Sequence, residues 1–87
     1  MKRIRSIENA IKYFEQGTRV ETRKTIKGEE YKVHIPPTGF HSLRLTTNRN
    51  GFQITEHIES WSWGDHASKI RKHYLKGDIV KVVVRYE

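Results

Sequence analysis

The sequence contains no cysteine. This absence excludes a disulfide-stapled scaffold, a zinc site with thiolate ligands and a catalytic cysteine nucleophile. No apolar run approaches the roughly 18 residues that a membrane-spanning helix needs. The basic N-terminus, residues 1–5, is not followed by an apolar segment, so it does not have the pattern of a secretory signal. We therefore predict a cytoplasmic protein that makes no membrane contact.

Proline is scarce, and the positions of the prolines and glycines indicate turns rather than a ligand site. The six glycines and two prolines fall in predicted turns, loops and helix ends. No segment matches a glycine-rich phosphate loop, a dinucleotide-binding fingerprint or the serine elbow of hydrolases. The sequence therefore predicts no cofactor.

Negative charge is also in short supply. The 87 residues include 17 Lys and Arg against 10 Asp and Glu, which gives a formal charge of +7, and only 34% of residues are apolar. A chain of this length is expected to form one domain, residues 1–87, with a small core. A homodimer would be one way to bury more surface, and the sequence leaves that question open.

Two helices are predicted from apolar spacing and from the residues at their ends. Apolar residues recur at helical spacing over residues 7–16, with Ser6 as the N-cap and Gly17 at the C-terminal end. The second helix begins after Asp65, which is another favourable N-cap, and ends at Gly77. Much of the positive charge falls on this second helix.

Alternating apolar residues predict strands between the two helices. Residues 18–35 fit a hairpin that turns at Lys27-Gly28. In this register Val20 lies opposite Ile35, and the apolar side chains fall on one side.

A second hairpin is indicated by Asn50-Gly51, the dipeptide most favoured in type I′ turns. Pairing around this turn places Arg44 opposite His57 on a polar face. Leu43 then belongs to the opposite, apolar face, which is expected to contribute to the core.

The ends of the chain complete the predicted fold. Residues 1–5 are expected to form a short basic arm. Residues 79–86 predict a strand with apolar residues on both faces, which is typical of the middle of a sheet. The element order is α-β-β-β-β-α-β. Its simplest assembly is an α+β fold, in which a single, mostly antiparallel sheet of about five strands carries both helices on one face.

The segment from the second helix to the final strand resembles a known family. It starts with Asp65-His66, passes through a Leu-Lys-Gly-Asp corner at residues 75–78, and continues as Lys-Val-Val-Val-Arg-Tyr over residues 81–86. A similar helix-to-strand segment occurs in the C-terminal domain of bacterial translation initiation factor 3, which binds ribosomal RNA. The resemblance covers about a quarter of the chain. It implies an RNA-binding layer of helix and strand.

Basic residues cluster in a pattern that favours contact with phosphate. The second helix carries four cations within eight residues, and others lie in the N-terminal arm and the hairpins. Cations that neutralise phosphates release counterions, so such clusters favour nucleic acid and make affinity depend on salt. A solvated helix face that keeps the protein soluble is the simpler alternative. The predicted nucleic-acid-binding residues are Lys69, Arg71, Lys72, Lys76, Lys2, Arg3, Arg5, Arg19, Arg23, Lys24 and Arg44.

Three aromatic residues are predicted on the polar face of the second hairpin. Phe40, Trp61 and Trp63 would lie there beside Arg44 and His57, as aromatic contact residues that stack on bases. Two alternatives remain open. A bulge just before the tryptophans would return them to the core, or they would form the centre of a protein interface.

Adjacent acid and base residues raise a catalytic alternative. His57 facing Arg44 is the one pair that fits a metal-free ribonuclease, with a histidine as base and an arginine on the phosphate. No recognised catalytic motif contains these residues, so we expect no enzymatic activity. His66 and His73 lie about two helical turns apart, too far for one metal ion, so no metal site is predicted.

The pattern as a whole favours binding over chemistry. The leading hypothesis is a small, non-catalytic protein that binds RNA or DNA, or a nucleoprotein complex, through backbone phosphates. The alternative is a protein-interaction module, such as a small phage or mobile-element inhibitor, that docks on an acidic host protein. A metal-free ribonuclease is the third hypothesis.

Overall fold

The computed structural model describes residues 1–59 and 65–87. The elements are β1 (Lys2–Ile4), α1 (Ile7–Gly17), β2 (Arg19–Lys24), β3 (Glu30–Ile35), β4 (Phe40–Arg49), β5 (Phe52–Ile58), α2 (His66–Lys76) and β6 (Ile79–Tyr86). They form a four-stranded sheet in the order β1-β6-β4-β5 and a separate β2-β3 sheet. The α+β fold and the element order from α1 onward are confirmed. The predicted single sheet is divided into two, and β1 is an additional strand.

Side chains cap the first turn of both helices, as predicted. The Ser6 hydroxyl accepts a hydrogen bond from the Asn9 backbone N–H at 3.4 Å, and the Asp65 carboxylate accepts one from Ala67 at 3.0 Å. At the other end of α2, Gly77 has a φ of +74°. Glycine adopts this left-handed conformation without steric cost, so it ends the helix.

Gly17 does not cap α1 in the predicted way. Gly17 is the last residue of the helix, and the C-cap is Thr18, which has extended backbone angles and donates its N–H to the Phe14 carbonyl at 2.9 Å. A Cβ on Gly17 would lie 2.5 Å from the Cβ of Pro37. Glycine is therefore needed because the loop after β3 packs directly against the end of α1.

The core lies between the two helices and one face of the four-stranded sheet. Leu43 lies opposite Val84 and Leu45 opposite Val82, and all four side chains are at most 1% exposed. They pack in one cluster with Ala10, Phe14, Ala67 and Ile70. Because these partners come from both α1 and α2, both helices cover the same face of the sheet, as predicted.

The second hairpin has the predicted turn and register. Asn50 and Gly51 have positive φ values of 53° and 85°, as a type I′ turn requires. Leu43 lies opposite Ile58, and Arg44 lies opposite His57. The central position predicted for the last strand is also confirmed, since β6 lies between β1 and β4.

The predicted register of the first hairpin is wrong by one residue. Val20 lies opposite His34, not Ile35. The turn is longer than predicted: the N–H of Gly28, whose φ is +84°, donates to the Thr25 carbonyl at 2.9 Å. A shift of one residue moves every side chain to the other face of a strand, and Val20 is consequently 55% exposed.

Lys2–Ile4, within the residues predicted as a short basic arm, form the edge strand β1. In β1, Ile4 lies opposite Val84 and Arg3 lies opposite Arg85. Ile4 packs against the core, which anchors the strand. Since neighbouring residues of a strand point to opposite faces, Arg3 is directed away from the helices.

Candidate nucleic-acid interface

The sheet face opposite the helices carries positive charge from three strands. Arg3 on β1 lies opposite Arg85 on β6. Lys81 lies four residues before Arg85 on the same strand, and Arg44 on β4 lies opposite the intervening Val83. Directly opposed residues in antiparallel strands share a face. The register thus assembles cations that are far apart in the sequence.

These cations line a concave hollow with a volume of about 420 Å³, which we call the basic basin. The hydroxyls of Thr46 and Thr55 lie 2.9 Å apart and are hydrogen-bonded to each other on this surface. Among the described residues, its lining includes five cations and no carboxylate. The lining residues are Arg3, Arg5, Arg44, Thr46, Thr55, Lys81, Val83 and Arg85.

Most of the charge in the basic basin is not neutralised within the described parts of the chain. Over residues 1–59 and 65–87, Arg3, Arg5, Lys81 and Arg85 form no ion pair. The Nε of Arg85 is also buried without a hydrogen-bond partner in those segments. A buried donor without a partner costs free energy, which an anionic ligand can offset.

The fifth cation, Arg44, belongs to a chain of hydrogen bonds. Its Nε donates to Nδ1 of His57 at 3.0 Å, and Nε2 of His57 lies 2.7 Å from a carboxylate oxygen of Glu59. Arginine always carries its protons, so Nδ1 of His57 is the acceptor. The ring proton is therefore on Nε2, which donates to Glu59.

A second hollow, of about 400 Å³, adjoins the basic basin and shares Arg44 and Arg85 with it. His57 lines this hollow together with His41, whose Nε2 lies 3.0 Å from a carboxylate oxygen of Glu87. Both histidines thus contact a carboxylate of their own. The two arginines are the groups left to face an anion entering from this side.

The predicted cationic face of α2 is partly neutralised. Lys69 forms an ion pair with Glu56 on β5, and Arg71 forms one with Glu15 on α1. The hydrogen bond from Lys69 lowers the pKa of Glu56 below its ordinary value, and Arg49, at 3.1 Å, contributes to this shift. Two of the four predicted α2 residues therefore have carboxylate partners within the chain.

The other predicted binding residues are not brought to the basic basin. On α2, Lys72 and Lys76 are exposed. The separate sheet carries Arg19, Arg23 and Lys24 on β2. On β1, Lys2 has the opposite orientation to Arg3. Of the eleven predicted cations, the basin contains Arg3, Arg5 and Arg44.

Sequence reasoning missed Lys81 and Arg85. The signal was present, because these residues and Val83 alternate with the buried Val82 and Val84 along β6. A strand with so many valines suggests burial on both faces. Because of this interpretation, Lys81 and Arg85 were not included among the predicted binding residues. Their exposure depends on the absence of a helix over that face in the described structure.

The predicted aromatic contacts are not supported at Phe40. A register shift in β4 lies between Phe40 and Ser42, and such a bulge reverses which face the preceding residue occupies. Phe40 packs against the core, with its ring centroid 5.7 Å from that of Phe14. Trp61 and Trp63 lie outside the described residues.

Comparisons with known proteins do not assign the chain to a family. No family model, curated protein or solved structure matches it. The likeness of residues 65–86 to the initiation-factor segment therefore has no support from a family match, although the helix, the Gly77 corner and the strand are all present. The geometry of the site is the basis for the function proposed below.

Residues 1–59 and 65–87 contain neither a metal-binding cluster nor a membrane-spanning helix. No group of three or more histidine, aspartate or glutamate side chains is placed to hold a metal ion in these segments. Neither described helix is long and apolar enough to cross a membrane.

Proposed function

We propose that this protein binds nucleic acid through backbone phosphates on the basic basin, without catalysing a reaction on it. The observation that carries the proposal is a group of five cations around one hollow on the open sheet face, none of which forms an ion pair within the described residues. Four of the five are arginines, whose planar guanidinium matches phosphate oxygens in pairs. A cytoplasmic location, which gives access to RNA and DNA, is part of the proposal.

The absence of catalysis is proposed from the state of His57. Both of its ring nitrogens have partners, Arg44 on one side and Glu59 on the other. A general base needs a free lone pair within reach of the proton that it removes. The arrangement favours holding an arginine in place over proton transfer to or from a substrate.

The first test is a titration of labelled RNA and DNA, duplex and single-stranded, followed by fluorescence anisotropy at several salt concentrations. Contacts to between three and five phosphates predict a slope of log K against log salt of about −3 to −4.5 on duplex DNA, and a shallower one on single strands. Affinity should depend little on sequence, because phosphate contacts carry no base information. Binding that is insensitive to salt, or absent at low salt, would contradict the proposal.

A matched pair of variants then locates the contact. Arg3→Ala with Lys81→Ala removes two cations from the basic basin, and Lys72→Ala with Lys76→Ala removes two from α2. Both change the net charge equally. We expect the basin variant to weaken binding by roughly tenfold per lost contact, and the α2 variant to have a much smaller effect. Equal losses would show that binding follows overall charge rather than the basin.

The same samples distinguish the alternatives. Capture of an acidic protein that survives nuclease treatment, together with loss of capture in the basin variant, would favour a protein-interaction module such as a phage or mobile-element inhibitor. Shortening of RNA during the titration, abolished by His57→Ala, would favour a ribonuclease. Either result would overturn the proposal of non-catalytic nucleic-acid binding.

A further inference from the structure

We propose that His57 is a positioning residue that holds Arg44 ready for a phosphate, an inference that rests on the proposed function. Arg44 and His57 lie directly opposite each other on β4 and β5. The 3.0 Å bond uses Nε of Arg44. The two terminal nitrogens of the guanidinium are left to bind two oxygens of one phosphate.

The benefit of this arrangement is entropic. Arg44 is exposed, and a free arginine side chain loses substantial rotamer freedom when a ligand fixes it. The bond to His57 restricts the side chain before any ligand arrives, and Glu59 in turn orients the ring at 2.7 Å. Binding then incurs less of that entropy loss, which is how preorganisation raises affinity.

The mechanism depends on the protonation state of His57. A protonated ring has N–H groups at both positions and cannot accept the Arg44 hydrogen bond. The residues that line the shared hollow together with His57 are Arg44, His41 and Ser42 from β4, Arg85 from β6, Glu59 and Met1. Protonation thus adds a charge to the surface and releases Arg44 from its partner.

A double-mutant cycle separates positioning from charge. Nucleic-acid binding is measured for the wild type, Arg44→Ala, His57→Ala and the double variant. The measurements are made at pH values above and below the midpoint of the His57 ring titration, which NMR determines first. On the alkaline side, Arg44→Ala should weaken binding roughly twofold to tenfold more with His57 present than without it. On the acid side, this extra effect should disappear, because the protonated ring no longer holds Arg44.

A conservative variant provides rescue. In His57→Asn the amide oxygen occupies nearly the place of Nδ1 and does not titrate, so the coupling to Arg44 should persist on both sides of the transition. Thr55→Ala is the matched control, because it removes the neighbouring cross-strand hydrogen bond to Thr46. It should show no coupling to Arg44 at either pH.

Nitrogen NMR of the His57 ring supplies a readout that needs no nucleic acid. We expect the neutral ring to carry its proton on Nε2, and Arg44→Ala to shift the Nδ1 resonance. A proton on Nδ1, or a coupling that does not change across the titration, would overturn the inference. If the protein binds no nucleic acid, the proposed function fails, and the ring spectrum still decides whether His57 holds Arg44.

Discussion

The basic basin and the surface of α2 are both rich in cations, but only the cations of α2 form ion pairs with carboxylates in the described structure. On α2, Lys69 and Arg71 contact carboxylates from β5 and α1. In the basin, no described carboxylate lies among the lining residues. The number of lysines and arginines in a segment therefore does not measure the charge that a ligand meets, because neighbouring elements can neutralise it.

The difference follows from what packs beside each surface. α2 lies against α1 and beside β5, and both bring a glutamate within reach of its cations. The basin lies on the outer side of the sheet, where the neighbours of a cation are the outward side chains of adjacent strands. Apart from the cations themselves, the residues that line the basin are Thr46, Thr55 and Val83, which are uncharged.

The largest expected effect comes from placing a negative charge in the basin. Val83→Glu introduces a carboxylate opposite Arg44 on a half-buried position of the outer face. It should reduce nucleic-acid affinity roughly a hundredfold or more, because like charges brought together cost several kcal/mol. Ser68→Glu is the control: it adds the same charge in the first turn of α2, four residues before Lys72. Anisotropy titrations in which both variants lose affinity equally would remove the distinction between the two surfaces.

A smaller effect should follow from releasing Lys69 of α2 and Arg49 of β4 from their shared carboxylate. Glu56→Gln removes the partner of both Lys69 and Arg49. The free energy of unfolding should fall by about 1 kcal/mol, as is usual for an exposed or partly exposed ion pair. Nucleic-acid affinity should rise modestly, since two cations become available. Unchanged or lower affinity would show that pairing is not what keeps α2 from binding.

The smallest effect is the pH dependence of the same ion pair. The pKa of Glu56 is lower in the fold than its ordinary value of 4.5. Above pH 4.5 the carboxylate is charged in both states and its stabilisation is complete, and it is lost as the pH falls through the lowered folded value. The stability difference between the wild type and Glu56→Gln should therefore be largest near neutral pH and shrink below pH 4.5. Urea unfolding at several pH values measures the stability difference. A difference that does not change with pH would contradict the lowered pKa of Glu56.

Local signals predicted much of the fold. Ser6 and Asp65 cap helices where the sequence indicated, and Gly77 ends α2. The Asn50-Gly51 turn also has the predicted conformation and sets the register of the second hairpin. These features are predictable because each depends on residues a few positions apart, whose backbone preferences act without help from the rest of the chain.

Errors arose where one residue of register mattered. Gly28 lies within a longer loop than predicted, so Val20 lies on the other face of its strand. A bulge in β4 moves Phe40 from the predicted polar face into the core. A strand alternates with a period of two, so a single inserted residue reverses every later assignment. Sequence patterns seldom reveal where that residue is inserted.

The sequence by itself determined the elements from α1 onward, the N-caps of both helices, the end of α2, one hairpin register and the excess of positive charge. Only the tertiary structure decided which of the cations lie together on one surface without a carboxylate partner. Pairing β1 and β4 with β6 brings Arg3, Arg44 and Arg85 to one face, although they are about 40 residues apart in sequence. The helices cover the other face because the apolar side chains of the sheet are buried there. The basic basin therefore exists only in the assembled sheet.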